Sequence, residues 1–107
     1  MCNLFVENDV IFVRHEQDIE KYIVTPLVNV LGEWRMLANS RNKSERRKAV
    51  EGYPILLAEL SRYKTSLENA TTYNHSQEFA EYVRDCISQI YEQQIKVAGI
   101  QGRLQNT

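Results

Sequence analysis

Two long stretches in which apolar residues recur every three or four positions leave this chain little to fold into except helices. The first is Leu56, Leu60, Tyr63, Leu67 and Ala70. The second is Phe79, Val83, Cys86, Ile90 and Val97, widened by Ala80, Ile87, Tyr91 and Ala98. Such spacing puts the apolar groups on one side of a helix and the polar ones on the other. Breakers are scarce, with four glycines and two prolines in 107 residues, which disfavours the many tight turns a small β-fold needs.

The rest of the chain supplies shorter elements. Leu4–Glu7 and Val10–Arg14 flank Asn8-Asp9, and β-branched and aromatic residues around a two-residue break suggest a small hairpin. The competing reading has Asn8 or Asp9 capping a helix with Ile11, His15, Ile19, Tyr22 and Ile23 on its apolar side. Ile19, Tyr22, Ile23, Val24 and Leu27 are helical in spacing. Thr25-Pro26 either kinks that helix or starts a second one, on which Val30, Leu31, Trp34 and Leu37 or Ala38 follow. Asn39 to Lys43 reads as a loop and Ser44 as the cap of the next helix. Gly52-Tyr53-Pro54 should interrupt that helix, because Pro54 lacks the amide proton a helix interior requires. Asn74 with Gln77 resembles a capping box, and Gly99 and Gly102 should end the last helix. The expected architecture is mainly α: one domain over 1–107, a compact antiparallel bundle of about four helices. Residues 1–17 form an extended or hairpin lead-in and 100–107 a loose tail.

Composition narrows the function. A hydrophobic fraction of 43% with 25% charged residues is that of a globular domain able to bury one core. A net charge of −1 argues against a chain that coats nucleic acid with its whole surface. No basic-then-apolar leader opens the sequence and no apolar run reaches the ~20 residues a membrane span needs. A cytoplasmic protein with no membrane association is therefore expected. In that compartment Cys2 and Cys86 should be free thiols, Cys86 packed on the apolar stripe between Val83 and Ile90. The Asn-x-Ser/Thr triplets at Asn42, Asn69 and Asn74 carry no meaning there.

No catalytic constellation emerges. His15-Glu16 begins a zinc-protease-like pattern, but Ile19 stands where the second histidine would be. The only other histidine, His75, lies in a turn, so no metal and no cofactor is expected. Glu16, Asp18 and Glu20, and again Glu78, Glu81 and Asp85, suit the first turns of helices. No nucleophile elbow or phosphate-cradling glycine spacing is present, and the chain is not expected to be an enzyme.

One feature stands apart. Arg41, Lys43, Arg46, Arg47 and Lys48 fall within eight residues that hold a single acid, Glu45. Residues 41–64 carry seven basic and three acidic side chains, and the remainder six and eleven. Positive charge is thus gathered at one end of an otherwise acidic bundle, and these five residues are the candidate nucleic-acid-binding set. Six tyrosines and Trp34 suit either the core edge or a protein–protein surface.

In format, a helical bundle over residues 18–99, acidic overall with Arg41, Lys43, Arg46, Arg47 and Lys48 at one corner, resembles the small subunits of multisubunit CRISPR effector complexes. The resemblance implies a noncatalytic subunit in antiviral defence. Such a subunit stacks against partner proteins through helical faces and presents basic side chains to RNA or DNA backbone. The alternative from the residues themselves is a small helical adaptor or inhibitor, an immunity, antitoxin-like or phage-encoded factor that masks a partner protein without touching nucleic acid.

Overall fold

The computed structural model describes residues 11–105. Three helical rods make up the described residues, against an expectation of about four for the chain. The first is compound: α1 (Glu16–Ile19), a π-helical turn (Glu20–Val24) and α2 (Thr25–Ala38) run on without a break. The Thr25 N–H reaches back five residues to the Glu20 carbonyl. Pro26 has no N–H to give the carbonyl four residues behind it, and the wider turn just ahead absorbs that gap. Pro26 therefore neither starts a separate rod nor splits the first.

The second rod, α3 (Lys43–Ala70), carries Pro54 in its interior. The expected interruption at Gly52-Tyr53-Pro54 does not occur. Pro54 and Ile55 face solvent, so only the bond to the Val50 carbonyl is lost, while Ala49, Leu56 and Leu60 stay buried on the other side. Burial of the stripe on both flanks outweighs one missing bond. Its cap is Asn42 rather than Ser44: the Asn42 side chain accepts from the Ser44 N–H at 2.8 Å.

The third rod, α4 (Gln77–Gln105), runs through Gly99 and Gly102 instead of ending there, so 100–105 is helix rather than loose tail. Val97, Ile100, Gln101 and Leu104 keep an inward face packed across both glycines. Ser76, not Asn74, caps this helix, its hydroxyl accepting from the Phe79 N–H at 3.3 Å. Neither Gly99 nor Gly102 has a positive φ, and a Cβ added at either meets nothing within 4 Å. Gly99→Ala and Gly102→Ala should therefore each raise stability by about 0.5–1 kcal/mol, read as a higher urea midpoint at unchanged slope.

Residues 3–10 of the expected hairpin lie outside the described residues, and 11–14 form neither strand nor helix. Side chains of α3 and of the connection 71–76 hold this segment down. The Ile11 N–H donates to Ser66 Oγ at 2.9 Å, Asn74 Nδ2 donates to the Arg14 carbonyl at 2.7 Å, and Val13 is buried. A helix surface offers no free backbone row for a strand to pair with, so hydroxyl and amide groups take that role.

α3 is the middle rod. It packs along α2 and along α4, while α2 and α4 meet over only a short stretch. The short connections 39–42 and 71–76 make successive rods antiparallel neighbours. The described residues measure 47 × 35 × 19 Å, a flat layer rather than a round bundle. Ile19, Ile23, Leu60, Leu67, Ile90 and Val97 are among its largest fully buried side chains. Trp34 locks α2 to α3, with Nε1 donating to the Ala49 carbonyl at 2.8 Å and the indole lying against Tyr53.

A candidate nucleic-acid interface at one end of the layer

The end of the layer that matters is built by the loop 39–42, the first turns of α3 and the last turns of α4. Here the chain reverses through a small polar lattice. Ser40 Oγ accepts from the Asn42 N–H at 3.0 Å and donates to Glu45 Oε1 at 2.5 Å. Arg46 Nη1 donates to the Ser40 carbonyl at 2.8 Å. The one acid of the cluster is thus engaged with a hydroxyl, and no ion pair joins it to the cations among the described residues.

The five basic residues expected to act together differ in exposure and in placement. Arg41, Lys43, Arg47 and Lys48 are exposed, with no hydrogen-bond or ion-pair partner among the described residues. Arg46 is half-buried and spends one nitrogen on the loop. Lys43, Arg46 and Arg47 stand together around a cleft of about 600 Å³ whose other walls are Val50, Leu104 and Gln105. Arg41 and Lys48 do not line it. A second hollow beside the first shares Arg46 and Leu104 and adds Ala38, Ile100 and Arg103.

Sequence reasoning misses Arg103, Leu104 and Gln105, because it sets them in a loose tail. The signal is present in the spacing of Val97, Ile100 and Leu104, which carries the stripe three and then four residues at a time past both glycines. Cations at the start of α3 oppose that helix's dipole, but the carbonyl end of α4 ends against the same cleft and offsets part of the cost.

The other candidates are dispersed. His15 lies with Glu16, Gln17, Asn74, Ser76 and Glu78 around a polar hollow at the opposite end, and His75 is exposed outside it. No group of three or more His, Cys, Asp or Glu able to hold a metal forms among the described residues. No helix among them is long and apolar enough to cross a membrane.

Cys86 is half-buried, not enclosed between Val83 and Ile90. It opens onto an apolar trough of about 360 Å³ between α2 and α4, beside Ile23, Leu27, Leu67 and Ile90. The flat arrangement of the rods leaves this seam unfilled. Burial pushes the Cys86 thiol up, and the carboxylates of Glu20, Asp85 and Glu16 add to this, while a hydrogen bond with Tyr82 opposes it. Tyr82 is pushed up as well, mainly by burial and by donating its hydroxyl to Glu20 Oε2 at 2.9 Å.

Thiolate is the reacting form, so native Cys86 in a Cys2→Ser variant should be alkylated by iodoacetamide more slowly than free cysteine. Its rate should climb only at a higher pH than free cysteine requires, and urea should abolish the difference. The same shifts bear on stability. With folded pKa values above the unfolded ones, both groups favour the fold fully below the unfolded pKa. That contribution is lost as alkaline pH rises through the folded values.

Comparison of the chain with protein-family models, with curated proteins and with solved structures finds no match.

Proposed function

We propose that this chain is a noncatalytic subunit of a nucleoprotein assembly, of the kind formed by the small helical subunits of multisubunit CRISPR effector complexes. In this reading it contacts the nucleic-acid backbone through its basic end. The observation that carries the proposal is the state of Arg41, Lys43, Arg47 and Lys48, four exposed cations with no partner among the described residues. Arg103, brought to the same end by the last turn of α4, extends the set. Folding does not call for such a cluster, because like charges at a helix start repel and oppose the dipole. Phosphate oxygens would accept from these side chains and displace condensed counterions. The cluster presents no pattern for reading base edges, so sequence preference should be low.

The test is a titration of labelled single-stranded oligonucleotide over a salt series. Three or four phosphate contacts on a single strand should lower affinity about 20–50-fold between 50 and 200 mM salt. Binding without salt dependence, or none at low salt, would refute the reading.

The adaptor reading is favoured by a different observation. The trough between α2 and α4 and the exposed Val28, Met36, Ile55 and Ile95 offer apolar surface that a protein partner could cover. In the assembly reading the same surface serves the neighbouring subunits. In the adaptor reading it acts alone, and the basic end stays in solvent.

A further inference from the structure

The cleft at the basic end has a property that backbone contact does not use. Its cations stand around an aliphatic surface, Val50 from α3 and Leu104 from α4, in a space of about 600 Å³. Phosphates need only the rim. A duplex, whose bases are stacked and paired inside, would ride on Lys43 and Arg47 and leave Val50 and Leu104 wet. A single strand can turn one base out of its stack, and a flat apolar ring with a phosphate beside it matches what the cleft presents.

We propose that this cleft receives one unstacked base of a single strand, flanked by the guanidinium groups of Arg46 and Arg47, while Lys43 meets the adjoining phosphate. The inference rests on the backbone reading above and adds the class of strand. Three features support it. The volume falls within the range of pockets that hold small ligands. Guanidinium planes accept bases face-on, and Arg46 is held in place by its bond to the Ser40 carbonyl. The walls come from two long helices that are far apart in the sequence, so the cleft is formed before any ligand arrives. No aromatic side chain lines it, which places the expected gain from the base at the lower end of what stacking provides.

The deciding measurement compares oligothymidylate of about a dozen units with an abasic oligomer carrying the same number of phosphates, using the unaltered full chain. Thymidylate should bind about fivefold or more tightly, with equal salt slopes for the two. A duplex of the same length should lose the advantage that the base confers. A Leu104→Asn variant, checked for helicity by circular dichroism, should bring thymidylate down to the abasic level and leave abasic binding unchanged. Equal affinity of the two oligomers for the unaltered chain would overturn this inference while leaving the backbone reading in place. Absence of binding by both would overturn the two together. Because the oligomer comparison needs no variant, it decides the matter even if Leu104→Asn fails to fold.

Discussion

Leu60→Ala should lower the unfolding free energy by about 3–4 kcal/mol, the largest stability effect expected of any single truncation in this chain. Leu60 is fully buried in the middle of α3, the rod that both neighbours pack against. Removing its isobutyl group forfeits the transfer energy of the lost carbons. It also leaves a cavity that long helices, pinned along their length, cannot close by shifting. A domain of this size has roughly 5–10 kcal/mol of stability in total, so the variant should be close to unfolding at physiological temperature. The measurement is a urea titration followed by circular dichroism. A loss below about 1 kcal/mol would mean that α3 is not the shared centre of the core.

The second large effect concerns binding. Reversing Arg41, Lys43, Arg47 and Lys48 to Glu should reduce affinity for single-stranded oligonucleotide by about 100-fold or more at low salt. It should also remove most of the salt slope, about 0.7 for each phosphate no longer neutralised. Arg46 is kept, because its bond to the Ser40 carbonyl holds the loop, and its loss would mix a folding effect with an electrostatic one. The four altered side chains are exposed and acids suit the start of α3, so stability should shift by less than about 1 kcal/mol. Unchanged affinity would make the cluster a solvated surface and leave the apolar trough as the working face.

The helical class and the main stripes are legible in the sequence because they depend on periodicity, and 3.6-residue spacing survives any tertiary context. Breaks are less legible. Gly52-Tyr53-Pro54 and Gly99 carry ordinary stop signals, yet both helices pass through, because buried residues on either side outweigh a missing hydrogen bond or a poor helix former. Caps slip by two residues for a related reason. Asn42 and Ser44, or Asn74 and Ser76, are all good caps, and only the docking of the chain decides which one meets a free N–H.

At the candidate site, the basic cluster is visible as a run of charge. What the run cannot reveal is how it is partitioned. Arg46 turns inward to the loop, Lys43 and Arg47 stand at a cleft, and Arg41 and Lys48 lie outside it. Leu104 and Arg103 join from a distant part of the sequence, a meeting that only the antiparallel return of α4 produces.

The position of α3 between its neighbours also bears on how the chain reaches its fold. The molecule is two helical hairpins that share one helix, closed by the connections 39–42 and 71–76. Pairing helices joined by such short turns costs little loop-closure entropy, which places the chain among topologies that fold within microseconds to milliseconds. Either hairpin can form first, and both routes require α3. Substitutions early in that helix and late in it should therefore divide between the two routes, whereas those at its centre slow both.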